Sequence, residues 1–244
     1  MELKGKRALV TGGAVRIGKA IALALAGEGC SIALHYGRST REAQTTAAAV
    51  RALGVDCTLH PADLGRAGAV QALGRQVLRH RLGCQILVNN ASIFPRVTLK
   101  NAKPTDFDEP YAVNLRAPAL LTQAIGIALL SQRRAGRIIN IADVGGRLAQ
   151  PEALPYSLSK AGLLQLTRLS AVALAPWVLV NSISPGPILM PDRHSTFQKR
   201  DSLARSVLKR LGGPREITQA VLFIAKSDFI TGSELTVDGG RSLL

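Results

Sequence analysis

The 244-residue sequence predicts a single α/β domain on a mostly parallel, doubly wound sheet with helices on both faces, and three observations lead there. Short apolar runs rich in β-branched residues alternate with longer helix-periodic segments, the order that parallel strands with crossover helices require. Hydrophobic residues make up 47% of the composition, enough to fill a core of ordinary domain size. Loops carrying Gly, Asn, Asp or Ser follow the strand candidates, and a parallel sheet collects such loops at one edge. No internal repeat or linker divides the chain, so residues 1–244 are read as one domain.

The first strand candidate, residues 6–10, feeds Thr11-Gly-Gly-Ala-Val-Arg-Ile-Gly18, and Ile21 and Leu25 then mark a helix closed by Gly27 and Gly29. A glycine turn between strand and helix offers backbone N–H groups and the positive helix end to a pyrophosphate. Its spacing is not G-x-G-x-x-G, so a purely structural tight turn stands beside that reading. Residues 31–36 form the second strand, which runs into His35-Tyr36-Gly37-Arg38-Ser39. A chain that binds NAD usually carries an acid here for the ribose 2′-hydroxyl. Arg38 and Ser39 suit a 2′-phosphate instead, which favours NADP; the alternative is an ordinary surface arginine.

Residues 40–53 read as a helix closed by Gly54, residues 55–60 as the third strand, and Asp63-Leu64 follows it at the carboxyl edge. A helix over 66–81 leads to a strand at 85–88 and the turn Asn89-Asn90-Ala91-Ser92. Residues 106–132 read as mostly helical, with Asn114 in the early half and a kink expected at Pro118. The strand over 137–142 delivers Asp143 to the same edge. A long helix follows from Tyr156 to about Ala175, then a strand at 178–183 ending in Ser184-Pro185-Gly186-Pro187. Residues 187–213 are polar and basic, a candidate substrate lid. A proline-opened helix at 214–225 and a last strand at 235–237, closing on Asp238-Gly239-Gly240, complete the chain.

Tyr156 and Lys160 are four residues apart, one turn along a helix face. A phenol titrates near ~10, and an ammonium within about 4–6 Å would lower that value, making a tuned proton donor. Chance spacing on a helix is the competing reading.

The net charge is +15, with basic clusters at Arg75-Arg79-Arg81, at Arg133-Arg134-Arg137 and between Lys199 and Arg210. The clusters lie on separate segments with few aromatics between them, so the expectation is a solvated basic surface that attracts anions rather than a nucleic-acid interface. Cys30, Cys57 and Cys84 are odd in number and far apart, and read as small core residues rather than bridges or metal ligands. No uninterrupted apolar run reaches the ~18 residues of a membrane span, and the first six residues are too short and polar for a signal peptide, so a cytoplasmic protein is expected.

Thr11-Gly12 with Ile17-Gly18, Asn89-Asn90-Ala91, Asn114, Tyr156-x-x-x-Lys160, Pro185-Gly186 and Val237-Asp238-Gly239-Gly240 together resemble a short-chain dehydrogenase/reductase along the whole chain. The resemblance implies a seven-stranded Rossmann sheet, a homotetramer, and a nicotinamide cofactor. The cofactor would be held by Thr11, Gly12, Arg16, Ile17, Gly18, His35, Tyr36, Arg38, Ser39, Asp63, Leu64, Asn90, Ala91, Ser92, Tyr156, Lys160, Pro185 and Gly186.

Two departures sharpen it: Arg16 replaces the family's middle glycine, and Asp143 stands where the usual catalytic serine precedes the tyrosine by thirteen residues. Both resemble pteridine reductases, as do His35 to Ser39 and Asn90-Ala91-Ser92-Ile93-Phe94. That implies hydride transfer from NADPH to a pterin or folate-like ring, with Asp143 and Tyr156 delivering protons and Lys160 and Asn114 completing the catalytic set. Arg16, Ser92 and Phe94 would line the substrate, Phe94 as a stacking platform. Alternatives at single residues are core packing for Phe94, a turn cap for Asp143 and helix stabilisation for Asn114. The competing functions are a carbonyl reductase of the same family, acting on a 3-oxoacyl thioester or small ketone, and a non-catalytic nucleotide-sensing or nucleic-acid-binding protein.

Overall fold

In the computed structural model, which describes residues 1–189 and 206–244, the strands Arg7–Val10 (β1), Ser31–Tyr36 (β2), Cys57–Pro61 (β3), Ile86–Asn89 (β4), Gly136–Ile141 (β5), Val178–Pro185 (β6) and Glu234–Val237 (β7) all pair in parallel. They form one seven-stranded sheet in the order β3-β2-β1-β4-β5-β6-β7. The helices are Arg16–Gly27 (α1), Thr40–Arg51 (α2), Ala67–Leu78 (α3), Thr105–Tyr111 (α4), Ala117–Ser131 (α5), Leu154–Leu174 (α6) and Pro214–Lys226 (α7). The seven strands and the single Rossmann-type domain match the expectation, with strand ends shifted by one or two residues.

Period-two alternation of fully buried residues divides the core between the two sheet faces. Ala8 and Val10 of β1 pack with Ile21 and Leu25 of α1, Ala43 and Val50 of α2, and Ile217 and Val221 of α7. Leu9, between them, packs on the opposite side with Val70 and Leu73 of α3, Leu121 and Ile125 of α5, and Leu174 of α6. Strand order reverses between β1 and β4, so the loops leaving those two strands diverge and open a crevice at the carboxyl edge. Most of the predicted site residues fall on that edge.

Several expectations are corrected. The irregularity assigned to Pro118 lies just upstream, where residues Ala112–Arg116 form a π-helical turn. Proline has no N–H for the carbonyl of Asn114, and the helix accommodates this by widening. Thr105–Ser131 is one helical stretch long and apolar enough to cross a membrane by length and composition, which counting uninterrupted apolar runs did not reveal. In this fold Ala117, Leu121, Ile125 and Leu129 spend that apolar face on the core. Arg137 is no part of a solvated basic cluster: it is buried, and its guanidinium donates to the carbonyls of Ser227 and Gly136 and to Asp228. Cys30, Cys57 and Cys84 are buried and unbridged, as expected. Of the expected lid, residues 190–205 lie outside the described residues.

Candidate active site

Three elements meet at the crevice: the β1–α1 turn, the loop after β4, and the junction from β5 into α6. The first two are stitched together. Thr11 Oγ1 accepts hydrogen bonds from the backbone N–H groups of Asn90 and Ala91 at 2.9 and 3.0 Å and donates to the Val88 carbonyl. Asn90 Nδ2 donates to the carbonyls of Thr11 (2.8 Å) and Gly12 (3.3 Å). Thr11 was expected to touch the cofactor, but its buried hydroxyl is taken up in holding the two loops in register.

His35 is likewise engaged by the backbone. Its Nδ1 accepts from the Gly12 N–H at 3.1 Å, and its Nε2 pairs with the Ala62 carbonyl at 3.1 Å. The carbonyl can only accept, so this is the neutral tautomer with the proton on Nε2. Burial pushes its pKa down to about 4. The ring braces the glycine turn against the chain after β3. Tyr36, also expected at the cofactor, is largely buried in the α1-side core. Gly37 and Arg38 beyond it are exposed, and Ser39 begins α2 from the N-cap position.

The turn is shaped to take a phosphate group. Gly12 has φ +62°, and a Cβ on Gly18 would lie 2.0 Å from the Gly12 carbonyl oxygen and 2.6 Å from Asn90 Nδ2, so the backbone approaches as closely as only glycine allows. Arg16 opens α1 at φ 52°, a left-handed conformation that costs a side-chain residue about 1 kcal/mol or more. Its exposed guanidinium donates to the Leu189 carbonyl at 3.1 Å, where the chain leaves β6. Val15 supplies no side-chain cap, so first-turn N–H groups of α1 remain for an anion. Ile17 is half-buried behind them. Asp63 accepts from Gly65 N at 2.9 Å, and Leu64 is buried beside it. Pro185 ends β6, and Gly186 donates to the Val237 carbonyl while lying so close to Asp238 that a Cβ would fall 2.7 Å from it.

The β5–α6 junction holds the titratable cluster. Asp143 leaves β5 extended and caps the short turn Val144–Gly146, its Oδ1 accepting from Gly145 N. Its Oδ2 accepts from the Tyr156 hydroxyl at 2.9 Å. Pro155 starts α6, which sets Tyr156 in the first turn and Lys160 one turn on. Lys160 Nζ donates to the Ile141 carbonyl at 2.8 Å and lies 5.7 Å from the Tyr156 ring centroid.

Burial dominates the titration of all three. It raises the Asp143 carboxyl, against the opposing pull of the Gly145 N–H, Lys160, Tyr156 and Arg241. It depresses Lys160 to about 8, partly offset by Asp143. It raises Tyr156 well above the ordinary phenol value, and the Asp143 charge adds to that. The expectation that Lys160 would lower the phenol is therefore reversed. Desolvation and the neighbouring carboxylate outweigh an ammonium that faces the ring and bonds elsewhere.

Asn114 joins two of these elements. Its Oδ1 accepts from Ile93 N at 2.9 Å, and its Nδ2 donates to Ile93 O and to Ser159 Oγ, both at 3.0 Å. Every polar atom of the amide is used to tie the loop after β4 to α6. Phe94, next in that loop, is 48% exposed, which excludes a core role, and its ring stands edge-on to Tyr156 with centroids 4.4 Å apart. Ser92 is exposed on the same loop. Sequence reasoning missed the Ile141 carbonyl, Ser159 and the buried ladder in which Asn89 donates to Asn140 and Asn140 to Thr167. A backbone acceptor leaves no side-chain signal, and the ladder spans three distant segments.

Residues 13–242 match the family model described as enoyl-(acyl carrier protein) reductase. The 3-oxoacyl-[acyl-carrier-protein] reductase FabG of Staphylococcus aureus is 35% identical over 240 residues, covering 96% of this chain and 97% of that protein. Among solved structures, a short-chain dehydrogenase/reductase from Serratia marcescens superposes with a TM-score of 0.91 at 33% identity, covering 99% of this chain and 100% of the other. FolM alternative dihydrofolate reductase 1 from Brucella canis, complexed with NADP, superposes with a TM-score of 0.91 at 34% identity, covering 100% of this chain and 96% of the other.

Proposed function

The chain belongs to the short-chain dehydrogenase/reductase family, and from that premise we propose that it is an NADPH-dependent reductase of a pterin or folate-like ring. The observation that carries the proposal is the Tyr156–Asp143 hydrogen bond, made by two groups that burial holds in their protonated forms to higher pH than usual.

The glycine turn, the open first turn of α1 and the exposed Arg38 fit the phosphates of NADPH, which supplies the hydride when bound. The chain's own groups do the rest. Phe94 presents an exposed aromatic face for a flat heterocycle beside the buried Tyr156. Asp143 can pass a proton to a ring nitrogen, and Tyr156, donating to Oδ2, fixes that carboxyl in place. Lys160, fastened to Ile141, adds positive charge beneath the phenol and offsets negative charge as the proton leaves.

The second reading is a 3-oxoacyl thioester reductase, favoured by the name of the Staphylococcus aureus relative. In such chemistry the group beside the tyrosine must donate to a developing alkoxide. Asp143 can do so only while it is protonated, since its ionised form has no proton and a like charge. We also propose a homotetramer, supported by the exposed Ile127 of α5 and Leu169 and Val172 of α6.

The deciding experiment compares wild type with Asp143→Ser and Asp143→Asn on a dihydropterin and on a 3-oxoacyl thioester. Sharp loss of pterin turnover in both variants supports the proposal. A serine variant as active on pterin as wild type transfers first place to the thioester reading.

A further inference from the structure

The loop after β4 carries a cation that the proposed chemistry does not use. From Ser92 to Thr98 burial alternates residue by residue: Ser92, Phe94, Arg96 and Thr98 are exposed, and Ile93, Pro95 and Val97 are half-buried. That alternation is the mark of extended chain, with every second side chain on one side. The segment is pinned at both ends, at Ile93 by the two bonds from Asn114 and at Val97 by the Leu154 N–H donating to its carbonyl at 2.9 Å. Phe94 and Arg96 are thus neighbours on one side of a fixed arch, their backbones roughly 7 Å apart. The Arg96 guanidinium carbon lies 6.0 Å from the centroid of the Phe94 ring, and that ring borders Tyr156.

Two other cations of the site region are engaged. Arg16 donates to the Leu189 carbonyl, and Arg147 pairs with Glu234 at 3.6 Å. Arg96 makes no hydrogen bond and no ion pair among the described residues. A guanidinium is a rigid fork suited to a carboxylate, and this one lies beside the exposed face of Phe94, within reach of a substituent on a ring stacked there.

We infer that Arg96 is a specificity residue that binds a carboxylate-bearing arm of the substrate, so that the enzyme prefers a pterin conjugated to an acidic extension over the bare ring. This inference rests on the ring-reductase reading above. A positive arch at the mouth also steers anions in a salt-dependent way, so the preference should narrow as ionic strength rises.

The test measures kcat/KM with NADPH for 7,8-dihydrofolate, which carries a benzoylglutamate arm, and for 7,8-dihydrobiopterin, which carries none. It does so in wild type, Arg96→Ala, Arg96→Lys and Arg96→Glu, with thermal melts to show that each variant is folded. The dihydrofolate-to-dihydrobiopterin ratio should fall roughly tenfold in Arg96→Ala, further in Arg96→Glu, and less in Arg96→Lys, mainly through KM for dihydrofolate. An unchanged ratio in folded Arg96→Ala, whether both activities persist or both fall together, overturns the inference and leaves the ring-reductase reading standing. If wild type reduces neither ring substrate but does reduce a 3-oxoacyl thioester, that reading fails and takes the inference with it.

Discussion

The Tyr156 hydroxyl donates to Asp143 Oδ2 across 2.9 Å, joining the first turn of α6 to the end of β5. Both groups are buried, so neither releases its proton at the pH an exposed side chain would. Each therefore holds its proton to a higher pH than it would in water. Turnover of a ring substrate that needs Asp143 protonated should fall as pH rises through that elevated carboxyl pKa, which a pH profile of kcat will read.

Tyr156→Phe removes the hydroxyl and keeps the ring against Phe94, so turnover should drop by ~10²-fold or more while cofactor affinity changes little. Lys160→Ala removes the cation and its bond to Ile141, so both turnover and cofactor affinity should suffer. Steady-state kinetics with cofactor titration separates the two, and near-normal turnover in Tyr156→Phe would dismiss the phenol as donor.

Arg38 stands exposed after β2, at the position where a ribose phosphate would lie in this fold. A charge-assisted contact to phosphate contributes ~1.5–3 kcal/mol, so Arg38→Ala should weaken NADPH binding by about tenfold or more and spare NADH. Equal weakening of both cofactors, measured by fluorescence titration, would remove Arg38 from cofactor selection.

His35 should make the fold acid-sensitive. Its pKa is about 4 in the folded chain against 6.5 for a free imidazole, so between these values the unfolded chain binds the extra proton and the folded chain does not. Stability therefore rises with pH across this window and is lost as pH falls from 6.5 toward 4, by up to roughly 3 kcal/mol for this group. Chemical denaturation of wild type and His35→Gln at pH 4.5 and 7.5 checks it. The variant, lacking a titrating ring, should show the smaller loss on acidification.

The sequence by itself determined the layered fold and nominated the candidate reacting groups. Its alternating strand and helix patterns follow from periods of about two and 3.6 residues, which depend only on local backbone geometry. Tyr156 and Lys160 share a helix face for the same reason, and Asp143 is placed by the end of a strand. Tertiary structure decided what those groups do, because titration and contact depend on what distant segments bring. Thr11 and His35, expected at the cofactor, and Asn114, expected in the catalytic set, have their side-chain polar atoms bonded to Asn90, Gly12 and Ile93, segments some 20 to 80 residues away, which no local pattern announces. The spacing of Tyr156 and Lys160 suggested an acidified phenol. Burial of the first turn of α6 and the approach of Asp143 raise it instead, since removing charge from water outweighs one cation bonded elsewhere. Arg96 gave no signal in the sequence, because its freedom from partners and its place beside Phe94 exist only once Asn114 and Leu154 pin the loop.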